Sequence, residues 1–475
     1  MAAAALSRFL PANRHVTVVE SDAIGTVGVG EATIPQIRLF NASLGIEEGR
    51  FLAATQGTIK LGIEFAGWTG PESRYIHAFG SVGRGLGLVP FHHYWLRTHL
   101  GGLWDYSVAA TAANAGRFAP DLGRPDLPTG LTWAYQFDAG LYATLLRQEA
   151  EKHGVSRIEG KVAEVACDPL SGDVSALVLD DGRRIAGDLF VDCSGFRSVL
   201  VGGAMSVPFD DWSRWLPCDR AMTVPTEMTQ PVQPYTRATA RTAGWQWRIP
   251  LRHRTGNGLV FASAFISEDA AARALLEGLD APALTEPGLI RFTTGRRTRA
   301  WAGNCIALGL ASGFMEPLES TSLHLVQSGI ARLLQLWPGT HIADADRDMF
   351  NRETEREWTA IRDFLVLHYH ANTRHEPFWQ ACRAAPLPDQ LAAKLDLFRA
   401  NGRIVRESDE LFTEVGWLQV MIGQGIRPAA YHPLADGPND GELTSFLDAQ
   451  RRHVAAVVGR MPTHNHFLKA ATKEM

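Results

Sequence analysis

Three features that would point to other classes of protein are missing from this chain. Acidic residues outnumber basic ones by 51 to 46, and a net charge of −5 gives no electrostatic argument for nucleic-acid binding. No apolar run approaches the roughly 18 residues that a membrane-spanning helix needs. The five cysteines are scattered and never form a CxxC pair, which excludes the usual disulfide framework or zinc site. We therefore expect a globular protein of the reducing cytoplasm, with neither a membrane nor a nucleic acid as partner.

Lysine is also scarce, since only six of the 46 basic residues are lysines. A lysine placed where the sequence would otherwise use arginine is therefore of interest. Lys60 stands in the strand-like stretch "TIKLGIEF", residues 58–65. On one continuous strand it would share a face with Thr58, Gly62 and Glu64, opposite the apolar side chains. By itself this pattern favours an ordinary exposed lysine on a half-buried strand.

The first twenty residues predict the second half of a βαβ unit. Residues 2–10 favour a short helix that Pro11 ends, and residues 15–20 favour a β-branched strand that ends at Glu20. In a dinucleotide-binding unit, an acid about 20 residues beyond a glycine-rich turn binds the ribose hydroxyl. That turn and its strand would lie upstream of Met1, so we expect the chain as given to bind a dinucleotide weakly. A surface helix with an edge strand and no cofactor is the alternative.

The rest of the chain predicts an α/β protein with a helical end. Glycine-marked stretches recur at residues 19–37, 182–198 and 304–334, with strand-like segments between them. After Leu336 helical patterns dominate, beginning with a long amphipathic helix over residues 344–367. We expect a nucleotide-binding core interleaved with a β-rich substrate region over residues 1–336, and a helical substrate-capping region over residues 337–475. The paired histidines in "FHHYW" and "LHYH" lack a convincing metal-ligand set, so no metal is predicted.

Several tracts, in order along the chain, carry a family resemblance. They are "GVGEATIP" (28–35), the WxWxIP pattern in "GWQWRIP" (244–250) and "EPLEST" (316–321), with "FDAGLYATLL", "DCSGF" and "RDFLVLHYH". The chain resembles the flavin-dependent halogenases of the tryptophan halogenase family. The resemblance implies an α/β fold with a three-layer ββα FAD-binding core like that of flavoprotein monooxygenases, a β-rich substrate insertion and a helical C-terminal part. Family members carry a strand and a GxGxxG-type turn ahead of the stretch that starts here at Met1.

The resemblance also implies a reaction scheme. Reduced FAD and oxygen form a flavin hydroperoxide, which halide attacks to give hypohalous acid, and this oxidant travels to a lysine beside an aromatic substrate. Lys60 aligns with that lysine. A primary amine can hydrogen-bond hypohalous acid or become a haloamine, and burial lowers its pKa, whereas a guanidinium stays protonated. Glu319 aligns with the carboxylate that stabilises the cationic ring intermediate and removes its proton. A helix-start acid favoured by the helix dipole is the alternative for Glu319.

The remaining site predictions follow from the same resemblance. FAD is expected to contact Glu20, Gly28, Val29, Gly30, Glu31, Ala32, Thr33, Asp192, Ser194, Gly195, Leu308 and Pro317. Halide is expected at the backbone N–H groups of Thr321 and Ser322. Trp245, Trp247, Ile249 and Pro250 are expected to form the wall between flavin and substrate, and Phe91, His92, His93 and Trp417 to contact the substrate.

The substrate itself is left open by the sequence. Residues 414–426 replace the tyrosine-bearing segment that, in well-known family members, binds the amino-acid portion of free tryptophan. We therefore expect an electron-rich aromatic, indole-like or phenolic, or a peptide residue, halogenated with chloride or bromide. No segment suggests a nicotinamide site, so a separate flavin reductase is expected to supply reduced FAD to a monomer or homodimer. The alternatives are an aromatic flavin monooxygenase and a truncated, non-catalytic flavoprotein.

Overall fold

Among the described residues, every strand lies before residue 315, where helices alternate with the strands, and the later part of the chain is helical. The computed structural model describes residues 1–24, 30–124, 126, 129–407 and 409–472. The strands are β1 (Thr17–Glu20), β2 (Gly30–Ala32), β3 (Thr58–Lys60), β4 (Gly62–Ala66), β5 (Arg74–Ala78), β6 (Ala134–Asp138), β7 (Ser156–Glu159), β8 (Val162–Cys167), β9 (Val174–Leu179), β10 (Arg184–Ala186), β11 (Phe190–Asp192), β12 (Phe209–Asp211), β13 (Arg220–Thr226), β14 (Thr236–Arg241), β15 (Gly244–Pro250), β16 (Thr255–Phe261), β17 (Gly288–Arg291), β18 (Gly295–Arg297), β19 (Trp301–Ala302), β20 (Cys305–Ala307) and β21 (Gly313–Phe314).

The helices are α1 (Ala2–Phe9), α2 (Gln36–Ser43), α3 (Glu48–Ala54), α4 (Phe91–Thr98), α5 (Val108–Asn114), α6 (Ala139–Lys152), α7 (Glu268–Glu277), α8 (Ser322–Gln335), α9 (Asp344–His370), α10 (Pro377–Ala384), α11 (Asp389–Asn401), α12 (Glu414–Gly423), α13 (Asp440–Arg460) and α14 (His464–Ala471). Several begin at a side-chain cap. Asp138 accepts hydrogen bonds from two backbone N–H groups at the start of α6, and Thr463 accepts one at the start of α14. Among the described residues, no helix combines the length and apolar composition needed to cross a bilayer.

The largest sheet has seven strands, in the order β17-β13-β16-β15-β14-β4-β5. Its neighbours are antiparallel except for the parallel pair β14 and β4. A three-stranded sheet, β2-β6-β3, packs near it. The two approach closely at Gly256, where an added Cβ would lie 2.9 Å from the backbone nitrogen of Gly30. Only glycine allows this contact, which places β2 against the large sheet.

The first hydrophobic core connects this large sheet directly to the C-terminal helices. It contains Trp245 and Trp247 of β15 together with Phe364 of α9 and Trp417 of α12. A second core lies around α1, α3, α6, α8 and β6. The helical region is therefore packed onto the strand-rich region over a shared apolar interior.

The elements predicted at both ends of the chain are confirmed. The opening helix and strand are α1 and β1, and the long helix predicted from residue 344 is α9. The prediction of one strand over residues 58–65 is wrong. The chain breaks at Leu61, whose N–H donates to Pro234 O at 2.7 Å, because β3 pairs with β6 whereas β4 pairs with β5 and β14. The predicted common face of Lys60 and Glu64 is lost with it.

Candidate active site

Lys60 ends β3 and is completely buried, so the interpretation of an exposed lysine is wrong. Its Nζ donates hydrogen bonds to Thr33 O at 3.0 Å and to Ser320 Oγ at 2.7 Å. Burial lowers the pKa of Lys60 to about 7, although the negative charge of Glu319 acts in the opposite direction. A neutral amine has two N–H groups, and these two partners would use both of them. Its lone pair would then be free to meet an electrophile.

Glu319 is as buried as Lys60, with 1% of its surface exposed. It ends a short 3-10 turn over Pro317–Glu319, and its carboxylate lies between two imidazoles. His77 Nδ1 donates to it at 2.9 Å, and His368 Nε2 lies 2.9 Å from Oε1 in a contact too bent for a hydrogen bond. Burial alone would raise the pKa of Glu319, but His77 and His368 outweigh it and lower the pKa to about 2. Glu319 is therefore a carboxylate at every ordinary pH.

These contacts favour a site role for Glu319 over helix capping. Helix α8 begins three residues later at Ser322 and has no acidic residue in its first turn. The carboxylate instead contacts His77 of β5 and His368 of α9, two elements far apart in sequence. Ser320, between Glu319 and the helix, adopts the left-handed conformation at φ 58°. Such a conformation is sparsely populated by residues other than glycine, and it aims the Ser320 hydroxyl at Lys60.

A second buried carboxyl, Glu316, holds one of the two motif tryptophans. Its Oε2 accepts hydrogen bonds from Trp245 Nε1 at 2.6 Å and from the hydroxyl of Tyr369. Its Oε1 is buried without a hydrogen-bond partner among the described residues. Burial raises the pKa of Glu316 to about 7, against the effect of the two donors. Since Tyr369 follows His368 on α9, this one helix contacts both acids of the "EPLEST" tract.

We expect Glu316→Ala to destabilise the fold and Glu316→Gln to preserve it. Alanine leaves two buried donors without an acceptor, at about 1–3 kcal/mol each, whereas the glutamine oxygen can still accept both hydrogen bonds. Wild-type Glu316 keeps its proton to higher pH in the folded chain than in the unfolded one. Its contribution to the free energy of unfolding should therefore fall as pH rises from about 4.5 towards 7, and Glu316→Gln should abolish that slope. Urea unfolding at several pH values measures both effects, and equal stability of the two variants would contradict the prediction.

A cavity of about 260 Å³ lies between the large sheet and the start of α8. Its walls are mostly apolar. They include predicted residues of the FAD site, of the wall and of the halide turn: Gly30, Glu31, Ala32, Trp247, Ile249, Pro317, Thr321 and Ser322. Ser320 also lines this cavity and so joins it to the Lys60 amine.

The residues of this cavity fit the ring system of a flavin. Trp247 has a buried indole N–H without a partner among the described residues, and Gly309 adopts φ +60° at the cavity edge. An added Cβ at Gly309 would make an ordinary contact with Val326 at 3.4 Å, so the constraint at this position is the backbone conformation, which residues other than glycine rarely adopt. An apolar cavity with few polar groups suits an aromatic cofactor. At its end, the first N–H groups of α8 lack intrahelical partners and Thr321 makes no side-chain cap, which suits an anion.

Other predicted FAD contacts are engaged within the protein. Glu20 pairs with Arg157 at 2.6 Å and Arg147 at 2.8 Å. Both oxygens of Asp192 accept hydrogen bonds within the turn that follows β11, one of them from the Ser194 hydroxyl at 2.6 Å, and Gly195 takes φ +72° in that turn. The Thr33 and Pro250 carbonyls accept from Lys60 and Thr58, and Leu308 lines a smaller cavity next to the first. Gly28 and Val29 lie outside the described residues.

The predicted substrate residues of α4 contact the C-terminal elements. His92 Nε2 donates to Gly402 O at 2.8 Å, and His93 Nδ1 accepts the backbone N–H of His432 at 3.2 Å. Phe91 packs on Tyr106, with ring centroids 4.6 Å apart. In the part of the chain that the structure describes, the polar contacts of these histidines do not run to Lys60 or Glu319. Trp417 lies nearer, because it packs on Phe364, whose ring also contacts His77.

Sequence reasoning missed the imidazoles of Glu319. His368 stands in the "RDFLVLHYH" tract, which carries the family resemblance but assigns this histidine no role. It contacts Glu319 across 49 residues, and periodicity does not report contacts at that separation. His77 follows the buried Ile76 on β5 and carries no motif at all. The available signal was electrostatic: a carboxylate that is buried needs a positively charged or hydrogen-bonding partner, and a histidine can be that partner.

Comparison with known proteins was made against this geometry. The tryptophan halogenase family profile matches residues 1–440. A flavin-dependent halogenase from Xanthomonas campestris is 48% identical with a TM-score of 0.96, over 99% of this chain and 95% of that one. The flavin-dependent halogenase BrvH from Brevundimonas sp. BAL3 is 45% identical with a TM-score of 0.94, over 99% and 96%. Tryptophan 6-halogenase SttH from Streptomyces toxytricini is 34% identical over 99% of this chain and 95% of its own.

Proposed function

Since the chain belongs to the tryptophan halogenase family, we propose that it installs chloride or bromide on an electron-rich, indole-like aromatic through hypohalous acid relayed to Lys60. The protein is an enzyme of the flavin-dependent halogenase type, with the α/β fold that the sequence predicted. The observation that carries the proposal is the position of Ser320, which lines the flavin cavity and accepts a hydrogen bond from Lys60. Ser320 therefore connects the cavity in which the oxidant would form to the Lys60 amine.

Each residue has a role that its surroundings support. Reduced FAD, when bound, supplies the chemistry that turns oxygen and halide into hypohalous acid. The α8 N-terminus, with Thr321 and Ser322, holds the halide. Trp245 and Trp247 exclude the aromatic substrate from the cavity, and Glu316 fixes the first of these rings. Lys60 receives the hypohalous acid, either by hydrogen bonding or as a haloamine.

Glu319 acts on the substrate mainly through its charge. A carboxylate with a pKa of about 2 is a weak base, but in a buried site it stabilises a cation strongly. The positive ring intermediate of electrophilic substitution is such a cation, and it is acidic enough to release its proton to a weak base. His77 and His368 hold the carboxylate in place for both tasks.

The substrate side of the site is aromatic, which supports a flat arene as substrate. His77, Phe364, Phe412 and Trp417 form one cluster, in which the Phe364 and Phe412 rings stack at 3.8 Å. Lys394 lies 5.2 Å from the Trp417 ring centre, but its charge is already paired with Glu410 at 2.7 Å. Residues 337–475, which supply most of this cluster, act as the substrate cap. All five cysteines are free thiols, in keeping with a cytoplasmic enzyme.

A halogenation screen tests the proposal. The purified enzyme receives reduced FAD from an added flavin reductase, with oxygen and either bromide or chloride, and a panel of indoles, phenols and free tryptophan. Halogenated indole is the expected product, with free tryptophan a poor substrate. Hydroxylated products would favour the aromatic monooxygenase, and intact substrates in every assay would favour the non-catalytic flavoprotein.

We expect turnover to depend completely on the added reductase. The sequence suggests no nicotinamide site, so NADH is not expected to reduce FAD directly on this enzyme. Product formation is followed with NADH and FAD, with and without the reductase, and chemically reduced FAD serves as the positive control. Sustained halogenation with NADH and FAD in a preparation free of reductase would refute this expectation.

A further inference from the structure

His464 is a buried histidine that none of the roles above uses. It is the first residue of α14 and only 1% exposed. Helix α14 lies beyond residue 440, where the match to the family profile ends. Its imidazole nevertheless reaches the strand that carries Lys60.

Both nitrogens of the His464 ring are bound, which fixes the position of its proton. Nδ1 lies 2.9 Å from Val232 O, and since a carbonyl oxygen only accepts, Nδ1 carries the hydrogen. Nε2 lies 3.2 Å from the backbone nitrogen of Ile59, and since that N–H only donates, Nε2 must be unprotonated. The ring is therefore a neutral bridge with one defined tautomer, and burial lowers its pKa to about 4.

Ile59 needs this partner because β3 is an edge strand. In the order β2-β6-β3, only one side of β3 is paired, and Ile59 faces Tyr135 of β6. In an antiparallel pair, alternate residues turn their N–H groups away from the neighbouring strand. A buried N–H without an acceptor is strongly disfavoured, and at Ile59 the acceptor is His464 Nε2. The imidazole thus supplies the hydrogen-bond acceptor that a second neighbouring strand would otherwise provide, at the residue directly before Lys60.

We propose that His464 is a positioning residue that fixes the backbone of β3 and thereby sets where Lys60 presents its amine. This inference rests on the proposed function of Lys60. A shift of about 1 Å in a reacting group lowers the reaction rate by up to about 10²-fold. A shift of the β3 backbone would also disturb the two hydrogen bonds that Lys60 donates to Thr33 and Ser320. The C-terminal helix α14 thus acts on the reaction through one backbone hydrogen bond.

Three variants distinguish the effect of the two His464 hydrogen bonds from the effect of its packing. His464→Phe fills the space and removes both hydrogen bonds. His464→Gln can restore both, since its amide donates to Val232 O and its oxygen accepts from Ile59 N–H. Asn465→Ala is the matched control, because Asn465 binds Val232 N–H at 3.3 Å and Gln230 at 2.6 Å but does not contact Ile59.

The deciding readout is the amount of halogenated product per reduced FAD oxidised. We expect His464→Phe to lower this ratio at least about tenfold, with the KM for substrate and the rate of flavin oxidation unchanged. Hypohalous acid that escapes should appear in a small-molecule trap. His464→Gln should recover most of the ratio, and Asn465→Ala should keep it at the wild-type level. A folded His464→Phe protein with wild-type coupling, or an equal loss in Asn465→Ala, would overturn the proposal.

Hydrogen exchange tests the same bridge without any halogenation assay. The Ile59 amide should exchange at least about tenfold faster in His464→Phe than in wild type, Asn465→Ala or His464→Gln. If His464→Phe does not fold, the comparison of His464→Gln with the shorter His464→Asn, which cannot reach both partners, replaces it. Absence of halogenation by the wild type would refute the proposed function, whereas unchanged exchange at Ile59 would refute the bridge.

Discussion

Lys60→Ala is expected to abolish halogenation while reduced FAD is still oxidised by oxygen. The Lys60 amine is completely buried and is joined through Ser320 to the flavin cavity, so in the proposed mechanism it acts after the oxidant has formed. Removing it should leave the formation of hypohalous acid intact and release that acid to solvent. Product analysis, oxygen consumption and a hypohalous acid trap are measured on the same sample.

Lys60→Arg distinguishes the two possible roles of the amine. Arginine keeps a positive charge and hydrogen-bond donors but cannot become a haloamine at neutral pH. We expect it to be inactive too, because both N–H groups of a neutral Lys60 are used by Thr33 and Ser320 and its lone pair is the group left for the oxidant. Lys161→Ala, at an exposed lysine, is the matched control and should behave as wild type. Substrate-selective halogenation by purified Lys60→Ala would remove Lys60 from the mechanism.

The pH dependence gives the same distinction without a mutation. Burial lowers the pKa of Lys60 to about 7, so the neutral fraction rises as pH passes through 7. If the neutral amine reacts, kcat should rise with pH and level off above about 8. If the ammonium group hydrogen-bonds the oxidant, kcat should fall over the same range. We expect the rise, measured at saturating halide and substrate with reduced FAD supplied in excess.

Local signals were sufficient to predict some of the helices and strands. The pattern of residues predicts α1, β1 and α9, because each shows a helical or β-branched pattern within its own segment. These local signals were insufficient at residues 58–65, where the apolar alternation continues without a break although the pairing strand changes at Leu61 from β6 to β5. Which strand a segment pairs with depends on residues far away in sequence, and periodicity carries no information on them.

The site was predictable as a set of motifs but not as a set of contacts. Glu316 and Glu319 belong to one tract, yet the structure gives them opposite electrostatics. Glu316 has only neutral donors and a raised pKa, whereas Glu319 has two imidazoles and a lowered one. The difference arises from His77 and His368, on β5 and α9. The fully buried state of Lys60 likewise depends on the packing of two sheets, which the pattern around it does not reveal.

Glu319→Gln is expected to reduce halogenation about 10²-fold or more, a typical scale for a lost acid–base group. Glutamine is nearly isosteric, so the side chain should stay between His77 and His368 and the fold should survive. What disappears is the negative charge that faces the cationic ring intermediate. The wild-type carboxylate has a pKa of about 2, so its own titration adds no pH dependence to the loss between about pH 5 and 9. Single-turnover kinetics with preformed reduced FAD measure it.

Glu357→Gln separates the catalytic role of Glu319 from the stability that any buried ion pair provides. Glu357 is a partly buried carboxylate bound by an imidazole, at 3.0 Å from His324 Nε2, but it lies among α8 and α9 residues outside the predicted site. The pKa of each carboxyl is lower in the folded protein than in the unfolded chain. Each carboxylate therefore adds to the free energy of unfolding at pH values above the unfolded-state pKa, and this contribution is lost as the pH falls towards the folded-state pKa. Both variants should therefore unfold at lower urea concentration at neutral pH. Only Glu319→Gln should lose halogenation per folded molecule, because only Glu319 has its charge beside Lys60. Equal activity of the two variants would make Glu319 a structural partner of His77 and His368 and leave the proton of the ring intermediate to another acceptor.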